Sequence, residues 1–193
     1  MSGNGITSIL GPATQLGFVV RDVEAAIAHW VNVLGVGPFL YLENGTGRPP
    51  STSYHRGNPV TVDTRLAFGF MGDVQIELIE QVNDASSPYR DFLHQGREGL
   101  QHLGFWVNDH VEACRRVEKA GYQRDYEIPI SGQLDPIVYY SSPALLGPML
   151  ELVPTVWRRS RAAVKAHLDG VNTPVSRFGT YGEFLVEAGV TFD

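Results

Sequence analysis

The sequence has a single cysteine, Cys114, among its 193 residues, so no disulfide can form within the chain. Because Cys114 lies in a segment with helical periodicity, we expect a small buried residue in a protein from a reducing compartment. No apolar run approaches the ~18 residues of a membrane span, and the first residues lack the basic and apolar regions of a signal peptide. These absences predict a cytoplasmic protein with no membrane partner.

Basic side chains are also scarce, since 15 Lys and Arg stand against 21 Asp and Glu, for a formal net charge of -6. This balance has the wrong sign for a protein that binds by neutralising phosphates, so we expect no nucleic-acid partner. The 43% hydrophobic and 19% charged content is that of a globular protein, and the chain is long enough to bury a substantial core.

What the sequence does contain is a repeat. The segment "QHLGFWVNDHVEA" restates the earlier "TQLGFVVRDVEAA", which indicates internal duplication. Each copy reads as an alternating strand, an N-cap aspartate (Asp22 or Asp109) and a helix that stops at a glycine. Three extended segments follow each helix. The chain is therefore predicted to be α+β, with two tandem βαβββ modules that have similar sheets.

The predicted boundaries follow from the repeat and from composition. They are a disordered N-terminal tail at 1–12, a first module at 13–81, a linker at 82–100, a second module at 101–154, and a C-terminal helix and arm at 155–193. One internal stretch, 44–59, is long for a hairpin connection and rich in Gly and Pro, so we interpret it as either a functional lid or a mobile loop.

One face of each predicted sheet carries a polar residue on its first and last strand, and these residues are Gln15, Glu77, His102 and Glu151. Because alternate strand residues face opposite sides, each lies opposite the apolar face that packs under a helix. If the two copies pair about a pseudo-twofold axis, the four side chains converge. An imidazole, two carboxylates and an amide suit Zn, Ni, Co, Mn or Fe(II). The alternative is four isolated polar residues on a solvated face.

Two further residues share the strand parity of these candidates. Val19 and Trp106 would make the wall of a pocket apolar, which favours an organic or aromatic small-molecule substrate, although simple packing is an equal alternative for Trp106. Tyr139 and Tyr140 lie on opposite faces of one strand, so only one of them can face the pocket. Tyr140 is our candidate for a hydrogen bond to substrate.

The duplicated pattern, with the glutamates in "IELIE" and "LELVP", resembles the vicinal oxygen chelate superfamily, also called the glyoxalase/bleomycin-resistance/dioxygenase superfamily. The resemblance covers roughly residues 13–154. It implies paired βαβββ modules whose curved mixed sheet forms a cup around a divalent metal, with the metal ligands Gln15, Glu77, His102 and Glu151. A homodimer is expected, and the sequence leaves open whether the cup closes within one chain or across the dimer.

The resemblance also implies an activity. A glyoxalase I-like or methylmalonyl-CoA epimerase-like member would be an isomerase, epimerase or lyase that acts on a small organic carbonyl compound through a metal-stabilised enolate. Glu151 would be the base, and Glu77 would serve the opposite face of the substrate. A metal-free small-molecule binding protein of the resistance type is the main alternative. An extradiol dioxygenase is disfavoured, because such enzymes hold Fe(II) with two His and one Glu and Gln15 replaces the first His.

Neither glutathione nor coenzyme A, the carriers used by those two branches, has an obvious anchor in the sequence. The glutathione-binding arginines of glyoxalase I correspond to Val19 and Glu98, and an acidic side chain would repel a glutathione carboxylate. No basic cluster marks a site for the phosphates of CoA, although Arg56 and Arg65 are available. The sequence therefore does not identify the substrate.

Overall fold

The computed structural model describes residues 5–130, 135–143 and 147–191. A short helix, α1 (Thr7–Leu10), precedes the first module. The elements of that module are β1 (Gln15–Val19), α2 (Val23–Asn32), β2 (Phe39–Asn44), β3 (Ser53–His55), β4 (Asn58–Val60), β5 (Thr64–Met71) and β6 (Val74–Gln81).

The rest of the chain holds the linker, the second module and the C-terminal extension. The linker contains α3 (Pro88–His94). The elements of the second module are β7 (Gly99–Val107), α4 (His110–Lys119), β8 (Gln123–Ile128), β9 (Ile137–Ser141) and β10 (Met149–Pro154). After a 3₁₀ turn at Thr155–Trp157, the extension consists of α5 (Arg158–Asp169), β11 (Val175–Thr180) and α6 (Tyr181–Glu187).

All of these strands belong to one mixed sheet, which curls into a half-barrel, in the order β11-β2-β5-β6-β1-β7-β10-β9-β8-β3-β4. The first strand of each module lies in the middle, where β1 and β7 pair antiparallel. Each is flanked by the parallel last strand of its own module, β6 beside β1 and β10 beside β7. The modules therefore share one continuous curved mixed sheet, which confirms the predicted α+β cup, and the cup closes within a single chain.

The convex face of the sheet is covered by α2 and α4. Each helix begins where the sequence predicts, because the carboxylates of Asp22 and Asp109 accept hydrogen bonds from backbone N–H groups of the first turn, both at 2.9 Å. The apolar side chains of β1 and β6 pack under α2, and those of β7 and β10 pack under α4. This burial fixes which strand residues are left to face the concave side.

The start of the chain differs from the predicted disordered tail. Residues 1–4 lie outside the described residues, but α1 places Leu10, which is buried, in the core beneath α4. Leu10 is buried in this cluster, and Ile6 and Ile9 pack against it. Burial of these apolar side chains stabilises the segment as a helix on the core rather than as an extended chain in solvent.

The stretch 44–59 contributes a small hairpin to the opposite module. Strands β3 and β4 pair with each other, and β3 continues the sheet beyond β8. The hairpin is held by Arg56, whose guanidinium contacts the carboxylates of Asp125 at 2.9 Å and Asp91 at 2.6 Å. A hairpin from the first module thus pairs with the outer strand of the second module.

The C-terminal extension covers part of the concave face. Strand β11 pairs parallel with β2, and α5 and α6 pack on β2 and β5. Their contact buries Leu40, Leu42 and Phe68 against Val164 and Phe184. The extension is therefore a wall of the cup rather than a loose arm. None of the helices in the described part of the chain is long and apolar enough to cross a membrane.

Candidate functional site

The concave centre of the sheet consists of two rows of residues that lie side by side across the strands. One row runs Gln75, Gln15, Gly104, Glu151 and Tyr139. The other runs Met149, His102, Gly17, Glu77 and Phe68. The second row repeats the first in the opposite direction across the strands, so the duplicated residues are related by a pseudo-twofold axis between β1 and β7. The structure brings the four predicted ligand residues together in this way.

The glycine at the middle of each row leaves space for the side chain of a candidate metal-binding residue. A Cβ atom on Gly17 would overlap the imidazole of His102, its partner on β7. A Cβ on Gly104 would overlap the Oε1 atom of Gln15 and would lie 3.0 Å from Oε2 of Glu151. Each repeat therefore needs a glycine at this position, because the polar side chain of the other repeat occupies the space that a Cβ atom would take: His102 beside Gly17, and Gln15 beside Gly104.

Three potential ligand atoms, from Glu77, His102 and Glu151, lie within 4.8 Å of one another. The Nε2 atom of His102 is 3.2 Å from Oε2 of Glu77 and 3.6 Å from Oε2 of Glu151. Imidazole and carboxylate atoms at these separations suit an ion with bonds of about 2.0–2.2 Å, as for zinc. The Nε2 amide group of Gln15 donates a hydrogen bond to the same Glu77 oxygen at 3.2 Å, so Oε1 is the atom that Gln15 can offer to a metal.

The electrostatics of this group also fit a cation. All four side chains are buried, and burial raises the pKa of Glu77 to about 8 and the pKa of Glu151 to about 7. Burial lowers the pKa of His102, which favours the neutral imidazole that a metal ligand requires. The Oε2 atom of Glu151 and the Oε1 atom of Gln15 are buried with no hydrogen-bond partner. A divalent ion would satisfy both oxygens and would favour the charged form of both carboxyl groups.

A residue that sequence reasoning missed orients the imidazole. Strand β7 has an irregularity where His102 pairs with Gly17 but Leu100 pairs with Phe18, so Gln101 is the extra residue of a β-bulge. The Oε1 atom of Gln101 lies 2.8 Å from Nδ1 of His102. An amide oxygen there accepts the Nδ1 proton, which leaves the lone pair of Nε2 directed at the two carboxyl groups.

Replacing Gln101 with leucine should lower affinity for zinc by about 10- to 100-fold, because His102 loses the acceptor that holds its ring and tautomer. Gln101→Glu is the matched variant, since it keeps an oxygen acceptor at the same position, and it should retain most of the affinity. Zinc titration against a competing chelator measures both variants. Equal affinity of wild type and Gln101→Leu would show that the contact does not orient the ligand.

A cavity of about 400 Å³ opens on the candidate metal site. It is lined by the acidic and amide side chains of the site and by a set of aromatic residues, namely Phe68, Tyr89, Trp106, Tyr126, Tyr139, Trp157 and Tyr181. The first module, the second module and the C-terminal extension each contribute part of this set. The cavity is therefore sized and lined for a small organic molecule with an apolar body.

Two of the predicted pocket residues are placed differently from the prediction. Tyr140 lies in the core beneath α4, where its hydroxyl contacts Glu118 at 2.9 Å, and Tyr139 faces the cavity instead. The reason is register, since Tyr139 is the residue of β9 that pairs with Glu151. Val19 has the predicted parity but is fully buried behind the cavity surface, in a cluster that includes Tyr139. Trp106 lies in the cavity wall.

The basic residues considered for CoA phosphates do not reach the cavity. Arg56 holds the β3-β4 hairpin, and the guanidinium of Arg65 contacts the carboxylates of Glu43 and Glu80, both at 3.2 Å. Glu98 forms an ion pair with Arg21 at 3.5 Å. These charged side chains form ion pairs with one another or with other elements of the fold, and none of them lines the cavity.

The duplicated modules around one cluster of potential ligand residues define a class of cup-shaped folds, and comparison with known proteins identifies the family. Residues 14–138, more than half of the chain, match the model of the Glyoxalase/Bleomycin resistance protein/Dioxygenase superfamily. The chain belongs to that superfamily, whose members typically bind divalent metals and small-molecule substrates. No curated protein matches the sequence.

Solved structures of low sequence identity share the fold. Methylmalonyl-CoA epimerase from Mycobacterium tuberculosis is 21% identical with a TM-score of 0.54, over 83% of this chain and 97% of that one. A hypothetical protein from Bacillus halodurans C-125 is 19% identical with a TM-score of 0.51, over 73% and 91%. A mutant 4-hydroxymandelate synthase from Streptomyces coelicolor is 18% identical with a TM-score of 0.53, over 74% and 38%.

Proposed function

We propose that the protein is a divalent-metal-dependent isomerase, epimerase or lyase that acts on a small organic carbonyl compound. The observation that carries this proposal is the convergence of two carboxyl groups, one imidazole and one amide on the floor of an aromatic cavity. Methylmalonyl-CoA epimerases among the solved structures of similar fold agree with this reaction class. Zn, Ni, Co and Mn suit the ligand set, and Fe suits it less because only one imidazole is present.

The residues that would hold the metal are Gln15, Glu77, His102 and Glu151. A divalent ion held by them would act as a Lewis acid and stabilise negative charge that develops on a substrate carbonyl oxygen. Its fit rests on the unpartnered Gln15 and Glu151 oxygens and on the two glycines that leave space for the ligands.

The remaining chemistry belongs to the side chains. Glu151 lines the cavity, so its carboxylate, once released from the ion, would be placed to remove a proton from the carbon next to the carbonyl. Glu77, which with Glu151 flanks Nε2 of His102, would serve the opposite face of the substrate by donating a proton that it holds, while Glu151 keeps the proton that it removed. The surrounding aromatic side chains exclude water and hold the apolar part of the substrate. The homodimer stays a proposal that does not affect these steps, because one chain supplies every residue of the site.

Solvent-deuterium exchange tests the role of Glu151. With α-hydroxy carbonyl compounds and acyl thioesters as candidate substrates, wild type should exchange the α-proton and lose this activity when the metal is chelated. Glu151→Gln should slow exchange by about 100-fold or more, because an amide cannot accept the proton. Glu187→Gln, at an exposed position on α6, is the matched control and should exchange at the wild-type rate.

Metal content decides between the enzyme and the binding protein. Elemental analysis of protein purified without added metal should find about one divalent ion per chain, and His102→Ala should lose it. Unchanged exchange by Glu151→Gln with its metal retained would rule out Glu151 as the base. Well under one equivalent of metal that cannot be restored, with ligand affinity indifferent to chelator, would instead favour a metal-free small-molecule binding protein.

A further inference from the structure

Arg161, in α5 of the C-terminal extension, introduces a positive charge into the cavity wall. Among the cavity-lining residues that the structure describes, it is the only one with a lysine or arginine side chain. It lies outside residues 14–138, the part of the chain that matches the superfamily model. The charge is therefore contributed by the C-terminal extension, outside the matched residues.

The guanidinium of Arg161 is held in place from two directions. One terminal nitrogen donates to the backbone carbonyl of Thr14, at 3.2 Å, and to that of Asp73. The guanidinium carbon lies 5.3 Å from the ring centroids of both Phe70 and Trp106. Because Thr14 directly precedes Gln15, these contacts place the guanidinium at the edge of the cavity where β1 begins, and Arg161 also lines a second, neighbouring cavity together with Thr14 and Trp106.

The residues that the structure describes use only part of the hydrogen-bonding capacity of Arg161. Its Nε atom is buried and has no hydrogen-bond partner. Burial lowers the pKa of Arg161, an effect that the charge of Asp73 partly opposes, and the side chain stays charged because guanidinium does not lose its proton in proteins. In the described part of the chain no carboxylate forms an ion pair with it. A half-buried guanidinium with a buried, unpaired donor is free to pair with an anionic ligand.

The charge balance of the cavity indicates the sign of that ligand. The carboxylates of Glu77 and Glu151 would together neutralise a divalent ion, and Arg161 then leaves one positive charge. A substrate with one negative charge would neutralise it. Among organic anions, a carboxylate matches the planar donor geometry of a guanidinium and is stabilised by charge-assisted hydrogen bonds.

We infer that Arg161 binds a carboxylate of the substrate, so that the preferred substrates are organic acids with an aromatic or similarly apolar body. Combined with the proposed function, on which this step rests, the substrate class becomes carbonyl compounds that carry a carboxylate. The binding of the carboxylate itself does not depend on the metal, because Arg161 is not among the metal ligands.

Phenylacetate and phenylacetamide are suitable probes, because they share shape and differ in charge. Titrations followed by calorimetry, with metal-free and with zinc-loaded protein, should show that wild type binds the acid more tightly than the amide. Arg161→Gln should weaken binding of the acid by about 10- to 100-fold in both states and leave the amide nearly unchanged. Arg161→Lys should keep part of the preference, because it retains the charge but not the planar donor pair.

Arg159→Gln is the matched control, since Arg159 is exposed on the same helix and its loss changes the net charge equally. It should bind both probes as wild type does. Equal affinity of wild type for acid and amide, no saturable binding of the acid, or an unchanged acid preference in Arg161→Gln would each overturn the inference. The comparison of acid and amide in wild type alone remains decisive if a variant folds poorly.

The two proposals fail separately. Full metal loading and deuterium exchange, with no preference for the acid, would contradict only the carboxylate site. A preference for the acid that requires Arg161, in a protein that cannot be loaded with metal, would contradict only the proposed metal enzyme.

Discussion

Gly17→Ala should reduce the affinity for zinc by about 100-fold or more, although alanine adds only one methyl group. The Cβ atom would occupy the space of the His102 imidazole, a fully buried ring that must turn away from the two carboxyl groups to avoid it. Displacing a ligand by about 1 Å already costs orders of magnitude in function. Overpacking should also lower the free energy of unfolding by about 1–3 kcal/mol.

The measurement is a zinc titration against a competing chelator, together with urea unfolding. Gly182→Ala is the control, because the nearest atom to its Cβ would be Oγ1 of Thr180 at 3.8 Å, an ordinary contact distance. This variant should bind zinc as wild type does. Zinc affinity that stays at the wild-type level in Gly17→Ala would show that His102 is not a metal ligand in the position described.

Phe184→Ala should lower the free energy of unfolding by about 3–5 kcal/mol, the usual cost of removing a buried phenyl ring from a packed core. Phe184 is only 1% exposed, and its ring centroid lies 5.4 Å from that of Phe178 and 5.9 Å from that of Tyr181. Phe184 belongs to the apolar cluster through which the extension packs on strands β2 and β5. The void left by the substitution would therefore lie in the contact that holds the extension on the sheet.

Urea unfolding measures this effect, and Val186→Ala supplies a matched comparison. Val186 is on the same helix but is 82% exposed, so its truncation should change stability by no more than about 0.5 kcal/mol. If Phe184→Ala were equally mild, the extension would not be part of the cooperative fold. Its role as a wall of the cavity, and with it the position of Arg161, would then be in doubt.

The arrangement of the central strands could be predicted from the sequence because two simple regularities coincide there. Strand alternation sets which side of β1, β6, β7 and β10 faces the cup, and duplication sets which residues are equivalent. Glu77 and Glu151 are therefore recognisable as a pair in the sequence, and the structure has Gln15 and His102 beside them. The two modules with their helices followed from the same pattern.

Other parts of the site depend on information that local sequence patterns do not hold. Tyr139 and Tyr140 are equally suited to either face of β9, and only the register with β10 selects Tyr139. Gln101 reaches His102 through a bulge, which breaks the alternation on which the prediction relied. The extension has a recognisable amphipathic helix, but the position where a helix docks depends on the whole surface that it covers, so Arg161 was not foreseen.

The pairing of β1 with β7 has a consequence for the symmetry of the protein. Leu16 lies opposite Leu103, and on either side of them a glycine lies opposite a polar side chain. A strand with this spacing is complementary to an antiparallel copy of itself, so a repeated strand sequence is sufficient to form this central pair with twofold symmetry. Because both copies lie in one chain, one polar position can differ from the other without altering the packing of the leucines, as Gln15 and His102 do.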